Sequence, residues 1–322
     1  MSRPEADRRL RRSAAGIEQL EVRQLLTGDF ESAVRFGGAG SDAGLSIATD
    51  TNGSVYTTGV FNGTVDFDPG AGVTNLISAG GFDIFVSKSD SAGNLVWARR
   101  LGGTGTDESH GVAVDGSGNV YSTGIFNGTA DFDLGAGISN LTSVGSADIF
   151  VSKLDAAGNF VWAKRFGGVA FDRSNGVSLD GSGNVYTTGY FNGTADFDPG
   201  GGVTNLTSAG LEDIFVTKLD SAGTFVWAKQ LGGTSGDQSN GIAVDGSGNV
   251  FTTGYFRGTA DFDPSGGVTN LTSAGFEDIF VSKLDSAGNF VWARQLGGTS
   301  GEESKGVRSA PCALKCWKLL GL

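Results

Sequence analysis

Aspartates at one-residue intervals are the most conspicuous candidate ligands in the chain. Asp66 and Asp68, Asp131 and Asp133, Asp196 and Asp198, and Asp261 and Asp263 each flank one phenylalanine and lead into a glycine-rich turn. Hard oxygen ligands so spaced suit Ca²⁺, and a surface crowded with them suits a cationic or sugar ligand. Asp42, Asp107, Asp172 and Asp237, with Asp83, Asp148, Asp213 and Asp278, are expected on that same acidic face. The plainer explanation is that these aspartates form Asx-turns and satisfy loop amides. It is preferred because the chain repeats them regularly, whereas a specialised site departs from its repeat.

A second oxygen-rich pattern is Asp115-x-Ser117-x-Asn119, with its copies at Asp180 to Asn184 and Asp245 to Asn249. It lacks the glycine position and the distal bidentate glutamate of an EF-hand, and a hairpin turn explains it more simply. Catalysis finds little footing. His110 is the sole histidine and its counterparts are Asn175 and Asn240, so it reads as a surface variant of an asparagine position. A histidine metal cluster is excluded, and a Ser/His/Asp triad is not expected. Carboxylate pairs for glycoside hydrolysis are plentiful, but none stands apart from the repeat. Cys312 and Cys316 are too sparse for a zinc site.

The elements that must position these residues come from one unit said several times. Trp97, Trp162, Trp227 and Trp292 are each separated by 65 residues, with no insertion or deletion. Such a register means one structural unit stacked repeatedly. Glycine reaches 55 of 322 residues without a Gly-X-Y period, beside aromatic and β-branched residues, which is the composition of short strands joined by tight turns. In the third unit the pattern predicts strands at Asn175 to Leu179, Val185 to Phe191, Asp213 to Leu219 and Phe225 to Leu231. The third of these has apolar residues on both faces. The long link from Gly193 to Glu212 has room for a small extra hairpin. Lys88, Lys153, Lys218 and Lys283 are expected to snorkel or to pair with nearby aspartates.

Four antiparallel strands per unit, apolar on both faces, are what a β-propeller blade requires. The fold class is therefore all-β, with a β-helical solenoid as the runner-up. Four full units run over 36–100, 101–165, 166–230 and 231–295, and a partial fifth over 296–307. The repeat breaks abruptly after Val307, which reads as a truncated or shifted reading frame. An open ring, with exposed blade edges that invite self-association, is one expectation on that count, and a closed four-bladed ring is the other.

The pattern Asp-x-x-Gly-Asn-Val-Tyr-x-Thr-Gly, then Asp-Ile-Phe-Val-x-Lys-Leu-Asp-x-x-Gly-x-x-x-Trp, then Gly-Gly, resembles the bacterial seven-bladed β-propeller repeat family (SBBP) across residues 30–307. The resemblance implies a propeller in exported or surface-attached proteins, and no single activity. The segment around each tryptophan is also similar to the tryptophan-docking piece of quinoprotein propellers, which implies a structural role for all four indoles. Residues 1–29 form a basic leader, and 308–322 a non-repeat tail. Leu20-Glu21-Val22-Arg23-Gln24-Leu25-Leu26 resembles the Leu-Glu-Pro-Arg-x-Leu-Leu motif of large planctomycete surface proteins, with Val22 in place of proline. No conventional signal peptide is seen, because charged residues interrupt the apolar stretch.

A formal charge of −12 disfavours nucleic acid and anionic membranes, and no apolar run approaches a membrane span. The expected function is a non-enzymatic scaffold or binding module, extracellular or at the cell surface, in contact with proteins or carbohydrates. No cofactor is expected beyond Ca²⁺. The alternatives are a Ca²⁺-stabilised propeller and a glycan-acting hydrolase or lyase.

Overall fold

A computed structural model describes residues 33–133, 135 and 137–304. The leader at 1–29, the end of the fifth unit and the tail at 308–322 lie outside the described residues. The chain divides into Met1–Ala33 and Val34–Leu322. Every described strand belongs to the second part, and no helix is assigned among the described residues.

Each full unit forms an antiparallel four-stranded blade. Blade 1 pairs Ala43–Thr49, Val55–Phe61, Asp83–Ser89 and Leu95–Gly103 in that order. Blade 2 uses Glu108–Val114, Val120–Phe126, Asp148–Leu154 and Phe160–Gly168. Blade 3 uses Arg173–Leu179, Val185–Asp196, Asn205–Leu219 and Phe225–Gly233. Blade 4 uses Gln238–Val244, Val250–Phe256, Asp278–Leu284 and Phe290–Leu296. Among the described residues no strand pairing joins blade 4 back to blade 1.

The reason for the second-strand glycine is visible. A Cβ on Gly124 would lie 1.9 Å from the Glu108 carbonyl oxygen of the first strand, where the register shifts between Ser109 and Gly111. Only a residue without a side chain fits such a bulge.

The long link does form a hairpin of its own, for example Thr129–Asp131 against Asn140–Thr142. Its partner lies outside its own blade. Asp131 and Ala130 pair with Gly102 and Gly103 at the end of blade 1's last strand, and Asp261 and Ala260 pair with Gly232 and Gly233 of blade 3. In blade 3 the hairpin is continuous with the long strands, and Asp196 pairs with Gly167 of blade 2. Blades 2, 3 and 4 are thus each hydrogen-bonded onto the last strand of the blade before.

The core lies between blades. Tyr56, Ile84, Val86, Trp97 and Leu101 of blade 1 form one buried cluster with Val112, Val120, Phe126 and Phe150 of blade 2. Equivalent clusters join blades 2 and 3 and blades 3 and 4. Third-strand residues are buried on both faces, as Ile214, Phe215, Val216 and Leu219 show. The indoles sit at these seams. A Cβ on Gly158 of blade 2 would lie 2.8 Å from the Trp97 ring, and Gly223 and Gly288 meet Trp162 and Trp227 in the same way. Trp97 Nε1 also donates to Ala156 O at 3.2 Å. Trp292 is half-buried and lies 6.3 Å from the Phe251 ring.

Candidate functional site

The paired aspartates hold their own loops. Asp131 Oδ1 accepts from the amides of Asp133 (3.0 Å) and Ser139 (2.9 Å), and Asp133 Oδ1 from Gly135 (3.0 Å). Asp66 and Asp68, Asp196 and Asp198, and Asp261 and Asp263 repeat this pattern with their own loop amides. The phenylalanine between each pair explains why the turn is held so firmly. Phe67, Phe132, Phe197 and Phe262 are fully or almost fully buried, each about 5 to 6 Å from two blade phenylalanines. Among the described residues no three His, Cys, Asp or Glu side chains are grouped to hold a metal ion.

The opposite turns behave alike. Asp115 Oδ1 accepts from the Ser117 and Asn119 amides at 2.9 Å, while Oδ2 accepts from Asn119 Nδ2 and the Tyr121 hydroxyl. These hydrogen bonds hold the Asp115 carboxyl below the ordinary carboxylate range against the opposing effect of burial. The recurring lysines rest over rings rather than on aspartates: Lys88, Lys153 and Lys218 lie 4.9–5.0 Å from the Tyr56, Tyr121 and Tyr186 centres.

Part of the expected acidic face is interior, while its paired turn aspartates are half-buried. Asp83, Asp148, Asp213, Asp278, Asp107, Asp172 and Asp237 are all 0% exposed. Asp107 Oδ2 accepts from Gly103 N at 2.7 Å and Oδ1 from Asn127 N at 3.1 Å, so one carboxylate fastens the crossover to both blades it joins. Asp172 and Asp237 do the same. Beside each sits a third-strand aspartate. A Cβ on Gly167 would come within about 3 Å of both Asp148 and Asp172, and this glycine has φ +147°, so its lack of a side chain leaves room for two acids. Arg100 and Arg165 neutralise Asp83 and Asp148 at 2.7 and 2.6 Å. In blades 3 and 4 Gln230 and Gln295 take those places. Burial pushes Asp107 and Asp172 up to about 6 and Asp237 up to about 7, with the neighbouring carboxylate adding to the rise. Burial also takes Asp213 to about 6.

His110 is not a surface residue. Its side chain is 8% exposed, with Nε2 3.0 Å from Glu108 Oε2 and Nδ1 3.2 Å from Ser174 O of the next blade. Asn175 reaches Ser239 O and Asn240 reaches Ser304 O in the same way. The inner strands that carry this ladder line a cavity of about 810 Å³.

The residues that set the blades apart gather beside that ladder. Phe171 stacks on Tyr190 at 6.2 Å, and Arg173 Nε donates to Asn175 Oδ1 at 2.9 Å. Glu108 is held below its ordinary range by His110, with Arg173 adding to the effect. Arg257 pairs with Glu277 through Nε at 2.9 Å and lies 4.7 Å from the Phe276 centre and 5.6 Å from that of Tyr255. A Cβ on Gly236 would lie 2.7 Å from Glu212 Oε2 and 3.7 Å from an Arg257 nitrogen, so Glu212 closes the group. Burial raises the Tyr190 hydroxyl and takes that of Tyr255 to about 12. The spacing of the ligand-like aspartates does not mark these positions. Their signal is disagreement between units: Tyr190 and Tyr255 stand where blades 1 and 2 have Val60 and Ile125, and Arg257 where the others have Asn62, Asn127 and Asn192.

Comparison with known proteins agrees with the architecture. A family model described as Beta-propeller repeat (SBBP) matches residues 96–125 and 226–255, two stretches in the same register of the repeat. The chain is 26% identical to an uncharacterized WD repeat-containing protein, L264, of Acanthamoeba polyphaga mimivirus, over 83% of this chain and 23% of that protein. It is 28% identical to the Regulatory protein FlaEY of Caulobacter vibrioides, over 81% of this chain and 28% of that protein. The chain therefore spans about a quarter of the length of the curated relatives it matches.

Proposed function

We propose that this chain is a non-enzymatic β-propeller binding module of an exported or cell-surface protein, which meets a protein or glycan partner through the diverged ends of blades 2 to 4. The observation that carries this reading is the contiguous patch built from Glu108, Arg173, Tyr190, Glu212, Tyr255 and Arg257. The units disagree at these positions while the turn aspartates, core phenylalanines and glycines stay nearly constant. The units differ elsewhere too, as Asn159 against Thr224 shows, but here several differences lie side by side. Names containing "WD repeat" and "Regulatory protein" among the relatives support an interaction role. The absence of catalysis is supported by the state of the repeated aspartates, which serve loop amides or lie buried against Arg or Gln. Export is supported by the resemblance of the leader and of the repeat.

The test is differential capture. Wild-type protein and a variant with Phe171→Thr, Tyr190→Ile, Arg257→Asn and Phe276→Ser are immobilised and exposed to a cell-envelope extract. Each replacement is the residue another blade carries at that position, so the variant is expected to fold. A partner held by the wild type and lost by the variant supports the reading, and identical capture by both contradicts it.

A further inference from the structure

The diverged positions place ring faces beside paired opposite charges. Phe276 stands where the other blades have Gly81, Ser146 and Leu211, and it is 68% exposed. Phe171 stands where they have Ser41, Thr106 and Gly236, and it is 37% exposed. A single exposed apolar residue needs no explanation. Two rings introduced at separate positions, each braced by a second aromatic or a guanidinium, mark a contact surface.

The charges indicate which chemistry fits. Three carboxylates (Glu108, Glu212, Glu277) and two guanidiniums (Arg173, Arg257) stand in the patch, with Asp237 buried beside Arg257. They alternate in space: Arg257 is bonded to Glu277 and close to Glu212, and Glu108 is influenced by Arg173. A strongly charged ligand of either sign meets a like charge within the same patch, which selects against it. A hydroxyl is both donor and acceptor, so it can bridge a guanidinium and the carboxylate or amide already paired to it. The polar side chains are held by one another before any ligand arrives, which lowers the entropy cost of binding.

We propose that this patch binds a neutral glycan. The apolar face of a sugar ring lies on Phe276 or Phe171, and its hydroxyls bridge Arg257 with Glu277 and Arg173 with Asn175. The proposal rests on the binding-module reading and commits it to one ligand class. The inner-strand cavity, which His110 and Asn175 also line, gives a longer chain space to continue.

The experiment is a calorimetric titration of the intact protein with neutral gluco-, manno-, xylo- and galacto-oligosaccharides. At least one is expected to bind, and Arg257→Asn and Phe276→Ser are each expected to weaken that binding tenfold or more without moving the melting temperature. Asn159→Thr, at a remote turn where blade 3 already has Thr224, is expected to leave binding unchanged. Binding that survives both patch substitutions overturns the proposal, and so does the absence of binding by any of the four classes. If no glycan binds but the fourfold variant still loses a captured protein, the glycan assignment alone falls. If the fourfold variant captures as the wild type does, the contact surface falls with it.

Discussion

The two ends of each blade have been treated differently. At the short-turn end, Asp115, Asp180 and Asp245 carry the same hydrogen bonds to the same turn amides from blade to blade. At the crossover end the backbone is equally regular, yet its inner side chains range from Ala43 to Glu108, Arg173 and Gln238 at one position alone. Uniformity marks what each blade needs in order to stack. Divergence on an unchanged frame marks what stacking leaves free.

Substitutions at uniform positions should cost the most. Gly124→Val places a Cβ 1.9 Å from a backbone oxygen that cannot move without breaking the strand pair. The expected loss is about 4 kcal/mol or more, measured as failure to accumulate folded protein or as collapse of the denaturation midpoint. Trp97→Ala removes a 6%-exposed indole from the seam between blades 1 and 2, with its bond to Ala156. About 3–5 kcal/mol is expected, read from urea unfolding; a change under about 1 kcal/mol would mean that the seam does not depend on the indole.

The buried acids sharpen the comparison, because blades 1 and 2 neutralise theirs with Arg and blades 3 and 4 do not. An acid whose folded value lies above the ordinary one, near 4, binds more protons folded than unfolded between the two values. Stability from Asp213 and Asp237 is therefore full below about 4 and is lost as pH rises through about 6 to 7. The turn aspartates act in the opposite sense. Their folded values are lowered, so their contribution is lost as pH falls below the ordinary carboxylate range. The melting temperature should consequently be highest near pH 5 and several degrees lower at pH 8. Gln230→Arg, which copies blades 1 and 2 into blade 3, should recover part of that difference at pH 8 and little of it at pH 5. A flat profile from pH 5 to 8 counts against the buried acid pairs.

The smallest effect expected is that of a chelator. The Asp66 and Asp68 turn and its copies are already satisfied by amides, so EGTA should move the melting temperature by less than about 1 °C; a metal bound only to the folded state would make it fall on removal.

Much of the fold was legible because stacking leaves a periodic mark. Trp97 and its copies, the Asp-Phe-Asp turns and the second-strand glycines recur at fixed spacing, and each maps to one contact. Two features were not legible. Pairing of Asp131 with Gly102 of the preceding blade depends on where a hairpin lands in space, which no periodicity encodes. Burial of Asp83 beside Asp107 depends on Gly102 leaving room between them, so the crossover and third-strand aspartates, expected on a surface, are interior staples. The candidate site was hidden for a different reason. The residue types with familiar ligand chemistry are all repeated, whereas Tyr190, Arg257 and Phe276 are informative only as departures from the repeat.

Hydrogen exchange of the protein with and without its captured partner or bound glycan tests the division between the two ends most directly. Protection is expected to be confined to backbone amides around Phe171 to Asn175, Tyr190, Leu211 to Glu212, Tyr255 to Arg257 and Phe276 to Glu277, with the turns at Asp115, Asp180 and Asp245 unchanged. Protection at those turns, with none at Arg257 and Phe276, would contradict the account.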